Sequence, residues 1–463
     1  MPDPPESEPS AVSTEPTPRT AAQLAKLLGE LVRTGPPRVG VELELGLLRA
    51  DGLGPIEYPG AGGVGALLER LAREGPWATP VFEDGRTIAL KGEEGESVTL
   101  EPGGQLELAS PPRSSLVELR DLLADRLARL AQVADELGIV VVAGSMVPVD
   151  PEAAPWMPKA RYRIMRAHFE GLGAAGRLHR TMMQRTTSVQ VTVDYADADD
   201  ASELLRLAFL CAPVATAIFA NSPLTSEGVL SARAEAWLAV DPARCGEVPA
   251  AVAPGATLLD YVDYALDVPM MFRVRGHEHL PMQGASFREV FEAGRWADGD
   301  PLTLDDVVTH LGSLFPDARL KPRLIELRST DGQPPSEAMT VAAFWTGLLY
   351  DAPARRELFE LLGGLEPAAR DEVRRAVPRL GLRARWGDTT LLDLGRAVVA
   401  LARAGLERRV ERGEEPPEVV ELLAPVERRL AAGRTPADEL LELWNGEWRR
   451  SREALIEALR VRA

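Results

Sequence analysis

The sequence predicts an α+β fold: a mixed body in which strands alternate with helices, continued by a helical C-terminal portion packed on the same domain. Three observations predict it. The segments VGVELELGLL, VTLEPGGQLEL, TTSVQVTVDY and PRLIELRST alternate apolar and polar residues with the period of two that marks a half-buried strand. Longer stretches between them carry apolar residues at helical spacing. Beyond Asp351 the spacing is helical almost throughout, punctuated by Pro and Gly. The expected division is a disordered tail over 1–20, a body over 21–351 and the helical portion over 352–463. No repeat of solenoid length is visible.

The elements follow in order. Residues 1–20 are rich in Pro, Glu, Ser and Thr and cannot build a core. Ala21 to Arg33 reads as a helix that Pro36 and Pro37 should end. Val39 to Leu48 reads as a strand, Leu67–Glu74 as a helix, Glu83–Gly95 as a hairpin-like region and Val98 to Leu108 as a second strand. In that strand Pro102 removes a ladder donor and Gly103-Gly104 permit unusual dihedrals, so a bend or bulge is expected there. Leu116 to Leu137 is a long amphipathic helix, and Ile139 to Ala143 a β-branched strand leading into a loop with Pro148, Pro151, Pro155 and Pro158. Thr187 to Tyr195 is a strand, Leu204 to Ala220 a buried helix, Leu324 to Arg328 a strand and Ala338–Tyr350 a helix. Glu357–Leu362, Glu372–Val377, Leu391–Arg408, Pro417–Ala431 and Pro436–Leu459 complete the helical portion.

Composition narrows the function. The chain has 463 residues, 45% of them apolar, enough for a large core. Its formal charge of −18 leaves no basic field for a phosphate backbone or an anionic bilayer. Neither nucleic acid nor membrane is an expected partner; the run from Leu204 to Ala220 is short for a span and contains Arg206. No basic segment precedes an apolar run at the N-terminus, and a cytoplasmic protein is expected. Cys211 and Cys245 are too few for a disulfide framework. The histidines, at 168, 179, 277, 279 and 310, read as surface or structural residues.

The polar faces of the four strands carry the chemistry. Residues two apart share a face, so Val41, Leu43 and Leu45 point one way and Glu42 and Glu44 the other, with Cα atoms roughly 6.6 Å apart. Glu101, Gln105 and Glu107 oppose Val98, Leu100, Leu106 and Leu108; Gln190, Thr192 and Asp194 oppose Val189, Val191 and Val193; Glu326 and Arg328 oppose Ile325 and Leu327. A solvated sheet face would usually mix Lys, Thr and Ser with its acids. Carboxylates so concentrated repel one another unless cations bind, and hard oxygen ligands without nearby His or Cys indicate Mg²⁺, with Mn²⁺ possible. Mg²⁺ held by few carboxylates is completed by water and substrate phosphates, so ATP is the expected co-substrate. No P-loop, dinucleotide fingerprint, kinase signature or nucleophile elbow is present, which leaves metal ions and arginines to hold phosphate.

The motifs EPGGQLEL (101–108), MPKARYRIM (157–165), MMQRTTSVQVTVDY (182–195), ATAIFANSP (215–223), ALDVPM (265–270), LFPDARLK (314–321), IELR (325–328) and FWTGLLYD (344–351), with GRTPADELLELWNGEW near the C-terminus, resemble in order the plant and proteobacterial type of glutamate–cysteine ligase. The resemblance covers roughly residues 37–455. It implies a glutamine-synthetase-like catalytic fold, with a curled antiparallel sheet forming a funnel, acidic face inward, flanked by helices. It implies ATP- and Mg²⁺-dependent joining of the γ-carboxyl of glutamate to cysteine through γ-glutamyl phosphate, the first step of glutathione-type thiol biosynthesis. The expected assembly, which the resemblance does not supply, is a monomer or homodimer. Carried over by position, Glu42, Glu44, Glu101, Glu107 and Glu326 are metal ligands, with Gln105 and Gln190 on the same faces. Glu326 and Arg328 serve catalysis, Arg328 neutralising the transferring phosphate; Arg233 receives the glutamate α-carboxylate, with Arg185 as a second candidate; Lys159 and Arg161 contact nucleotide. The chain departs from the family pattern at Leu43, Thr187 and Met271. Two other readings stay open: a related ligase with another acceptor amine or serving ergothioneine synthesis, and a non-catalytic glutamate or nucleotide sensor.

Overall fold

A computed structural model describes residues 17–225, 227–276, 278–282 and 284–463. Most of the tail expected over 1–20 and His277 lie outside the described residues.

Nine strands form one antiparallel sheet: β1 (Val39–Arg49), β2 (Thr79–Glu83), β3 (Arg86–Lys91), β4 (Ser97–Leu100), β5 (Leu106–Ala109), β6 (Ile139–Val142), β7 (Val189–Asp194), β8 (Ala318–Lys321) and β9 (Leu324–Leu327). Their order is β8-β9-β7-β1-β5-β4-β3-β2, with β6 also on β1. The sheet is open rather than closed into a barrel, and mixed α+β is the observed class. β1 is its axis. Its first half pairs with β5 and β7 and its second half, Gly46 to Arg49, with β6. The alternation dictates this: Val41, Leu43 and Leu45 are buried beneath the sheet while Glu42 and Glu44 remain on the other side.

The second predicted strand differs from expectation. β4 and β5 pair with each other, Leu100 opposite Leu106, so Pro102-Gly103-Gly104 is the turn of a hairpin and not a bend within one strand. Gly104 has φ +91°, which a residue with a Cβ adopts only with strain, and this reverses the chain. Parity survives because each strand is packed separately on the core.

The helices α1 (Leu116–Glu136), α2 (Ala160–Gly171), α3 (Ala198–Ile218), α4 (Ala232–Leu238), α5 (Ala338–Leu349) and α6 (Leu391–Glu411) position the rest. Ser115, Asp197, Ser231 and Thr390 accept a backbone N–H at the starts of α1, α3, α4 and α6, each supplying one of the bonds a helix N-terminus lacks. α3 is long and apolar enough to cross a membrane, yet it is largely buried in the core. α5 is buried along its length and packs on β1, β7 and α6, so the segment beyond Asp351 shares one hydrophobic core with the sheet. The long helix expected over Pro436–Leu459 is two, Pro436–Asn445 and Arg452–Leu459, broken where Arg449 and Arg450 take positive φ. Pro417–Ala431 likewise begins as a 3₁₀ turn over Pro417–Leu423.

Candidate active site

The polar face of the sheet lines a cavity of about 380 Å³. The strand register builds its acidic wall. Glu44 lies opposite Glu107 on β5, and Glu42 opposite Gln190 on β7, so two carboxylates meet across the β1–β5 ladder and an amide faces the third. Like charges placed directly across a ladder repel. Glu101 joins them from the β4–β5 turn. Burial first, then the charges of Glu326 and Glu107, push the Glu42 carboxyl up to about 8; burial and Glu107 push Glu101 up to about 7. Glu44 is raised by burial against the pull of Arg233. Glu107 accepts a bond from Thr99 Oγ1 (3.1 Å) and Glu44 one from Gln190 Nε2 (2.9 Å). The side chains of Glu42 and Glu101 have no such partner among the described residues.

Facing this wall is a cationic one. Arg328 Nη1 donates to Gln190 Oε1 (2.5 Å) and to Glu326 Oε2 (2.8 Å), and Arg319 Nη2 reaches the same Glu326 oxygen at 2.6 Å. Lys321 donates to the other oxygen. Burial alone would raise the Glu326 carboxyl; Arg319, Lys321 and Arg328 outweigh it and hold the group well below the usual range. At the opposite end Lys159 Nζ donates to Leu100 O (3.0 Å), Arg161 Nη2 donates to Tyr162 Oη (3.2 Å), and Arg161 Nε has no partner among the described residues. Burial and Arg161 push the Lys159 ammonium down to about 7 against Glu101 and Glu107.

The structure therefore brings Glu42, Glu44, Glu101, Glu107, Gln105, Gln190, Lys159, Arg161, Arg233 and Arg328 around one cavity. Glu326 is fully buried behind them and spends both oxygens on the three cations. Gln105 is committed to the β4–β5 turn, giving its amide protons to Met183 O and Thr186 O and accepting from Gly103 N. Arg185 stands apart from the cavity, its Nε donating to Val147 O. Sequence reasoning missed Arg319 and Lys321. Their signal was present in ARLK, where Ala318 and Leu320 are the buried partners of the same alternation.

Two expectations outside the site compare simply. Cys211 is buried, and burial raises both thiols, Cys245 to about 12, so neither is a thiolate near neutral pH. His168 is bonded to Asp241 (2.8 Å), and His179 and His310 to backbone carbonyls.

Among the described residues no three His, Cys, Asp or Glu side chains converge closely enough to grip an ion unaided. The donor chemistry nevertheless suits hard divalent cations: four acids on one wall, two without a hydrogen bond, and a cationic wall opposite able to hold anionic ligands that would complete the coordination.

Comparison with known proteins gives a consistent picture. Residues 38–458 match the glutamate–cysteine ligase family 2. The chain is 35% identical to the chloroplastic glutamate–cysteine ligase of Arabidopsis thaliana over 98% of this chain and 85% of that protein. It is 35% identical to the corresponding enzyme of Brassica juncea, over 98% of this chain and 86% of that one. Its fold resembles the crystal structure of a glutamate–cysteine ligase from Francisella tularensis in complex with AMP, with TM-score 0.53 at 14% identity, covering 92% of this chain and 88% of that one. The Arabidopsis and Brassica relatives overturn the cytoplasmic placement expected from the sequence, since they are chloroplastic enzymes.

Proposed function

The chain belongs to the glutamate–cysteine ligase family 2, and on that premise we propose that it joins L-glutamate through its γ-carboxyl to the amine of L-cysteine, driven by ATP. The observation that carries this reading is the single cavity whose acidic wall, Glu42, Glu44, Glu101 and Glu107, faces the basic groups Arg328, Arg319, Lys321, Lys159 and Arg161. An acidic wall alone binds cations and a basic wall alone binds anions; phosphoryl transfer needs both within one site.

Glu42, Glu44, Glu101 and Glu107 would hold Mg²⁺, which when bound neutralises charge on the ATP phosphates. This chain's own residues do the remainder. Arg328, fixed in orientation by Glu326 and Gln190, presents its guanidinium to the phosphoryl group as a γ-carboxylate oxygen bonds to phosphorus and ADP departs. The cysteine amine then bonds to the acyl carbon and phosphate leaves, while the amine gives up its proton. Arg233 receives the α-carboxylate of glutamate. Glu326 acts on this reading as the anchor of the cationic wall, for its oxygens are already bonded to Arg319, Lys321 and Arg328. Lys159 and Arg161 border the nucleotide from the far end of the cavity.

ADP release by the purified chain with ATP, Mg²⁺ and glutamate tests the reading, comparing cysteine with other amines and with no acceptor. Cysteine-dependent release with γ-glutamylcysteine in the mass spectrum is expected. Release driven only by another amine would move the acceptor, and nucleotide binding without turnover would leave a sensor.

A further inference from the structure

A second, smaller chamber of about 50 Å³ adjoins the acidic cavity, and Arg233, Trp237, Phe315 and Arg328 line both. A water needs roughly 10–15 Å³ of such space, so the chamber admits a few heavy atoms, enough for the end group of an amino acid and far too few for a nucleotide.

Its lining is polar and incompletely satisfied. Arg233 is buried on α4, where Ser231 Oγ accepts from Ala234 N at 3.1 Å and so caps the helix that carries it. Arg233 Nη2 donates to Arg328 O (2.8 Å), its Nε has no partner, and it makes no ion pair with any described residue. Asp317, immediately before β8, likewise lines the chamber with neither a hydrogen bond nor an ion pair to its carboxylate among the described residues. The Ser329 hydroxyl and the Trp237 indole N–H are also buried without partners among the described residues. Of the other two cations, Arg328 pairs with Glu326 and Arg374 with Asp371, and Arg374 also attracts Asp317 without forming an ion pair with it. One cation and one anion without a direct partner among the described residues thus line the same small space without pairing with each other. Leaving both without a direct partner is costly.

With Arg233 taking the donor's α-carboxylate on the ligase reading, we infer that Asp317 is the counter-charge in this chamber that selects the donor's α-ammonium. The inference rests on the ligase reading for the identity of the donor, and it deepens that reading by assigning Asp317 a specificity role. A zwitterionic head satisfies both charges at once. A side-chain carboxyl carried by that head extends past Arg328, the shared wall, into the acidic cavity where transfer takes place. A dicarboxylate without the ammonium matches Arg233 and leaves Asp317 repelled and unpaired. Burial, outweighing Arg374, raises the Asp317 carboxyl, as expected of an anion awaiting a cationic partner.

The test is isothermal titration of the full-length chain with glutamate and with glutarate, which lacks only the ammonium, using the wild-type protein and Asp317→Asn. Wild type should bind glutamate at least about tenfold tighter than glutarate, and Asp317→Asn should erase most of that ratio, weakening glutamate while glutarate binding is retained or tightens as the repulsion is removed. Retained glutarate binding also shows that the variant is folded. Equal affinity of wild type for the two ligands, or a variant that weakens both to the same extent, overturns the assignment. Turnover measured in parallel separates the two readings. Discrimination that depends on Asp317 without ADP release supports the subsite and removes the ligase; cysteine-dependent turnover with an unaltered glutamate-to-glutarate ratio supports the ligase and removes the subsite.

Discussion

At the scale of single residues, the site is an arrangement of charges that oppose one another in the absence of ligand. Glu42 is the extreme case, a raised carboxyl beside Glu107 and Glu326 with no hydrogen bond of its own among the described residues. Glu42→Gln is therefore expected to stabilise the metal-free chain, by about 1 kcal/mol in urea denaturation, while raising the Mg²⁺ concentration for half-maximal ADP release at least about tenfold. A variant that is less stable than wild type and keeps the wild-type Mg²⁺ dependence would contradict the acidic-wall assignment. Arg328 supplies charge in a fork already aimed by Glu326 and Gln190. Arg328→Lys keeps the charge and loses the fork, and kcat should fall about 100-fold in steady-state assays. His310 contributes one term to the pH dependence of stability. It is buried, stacked on Phe287, and bonded to Ala265 O at 2.8 Å; burial depresses its pKa from 6.5 to about 4. The folded state resists protonation, so this contribution is fully present above pH 6.5 and is lost as pH falls toward 4, a change of about 3 kcal/mol. Denaturation of His310→Gln across that window should show a flatter slope than wild type. The acids of this site were legible in the sequence because a strand's period of two assigns each residue to a face. Arg319 and Lys321 follow the same alternation but were not singled out, since basic residues on a strand's polar face are also what a solvated face carries.

At the scale of elements, the β4–β5 hairpin decides the acidic wall, and the sequence was misleading there for a physical reason. Equal parity on both sides of Pro102-Gly103-Gly104 is compatible with one bent strand and with two paired strands, because each arrangement sends the same residues inward. The pairing of Leu100 with Leu106, across a turn that Gly104 closes at φ +91°, distinguishes them. Gly103 contributes by proximity, since a Cβ there would come within 2.3 Å of the carbonyl oxygen of Gln184. Gly104→Ala should cost about 1–2 kcal/mol in chemical denaturation through strain at positive φ. It should also lower kcat/KM, because the turn carries Glu101 and holds Gln105 against Met183 and Thr186. The long helices were readable from spacing and caps, whereas the break between Asn445 and Arg452 was hidden, because continuous helical periodicity on either side masks a change of direction.

At the scale of the whole molecule, the helical C-terminal portion is tied to the sheet by a contact that only glycine permits. α5 rests on β1 and β7 beneath the acidic wall, and α6 crosses α5 so closely that a Cβ at Gly405 would lie 1.9 Å from the carbonyl oxygen of Gly347, and one at Gly347 would lie 2.1 Å from that of Ala402. Backbone atoms in packed helices cannot swing aside as a side chain can, so any larger residue must separate the helices. Thr390 caps α6, Arg408 binds Asp351 at 2.6 Å, and Glu415 accepts from Leu116 N at 2.8 Å, linking the same region to α1. A single shared core with these ties should unfold as one unit. Gly405→Ala is expected to lower stability by about 2–3 kcal/mol, and fluorescence and circular dichroism should report the same displaced, single transition in urea. Because α6 does not line the cavity, KM for glutamate and ATP should remain at wild-type values below the transition. Two separated transitions, with only the helical signal moving, would show instead that residues 352–463 are an independent unit and that the sheet carries the active site without them.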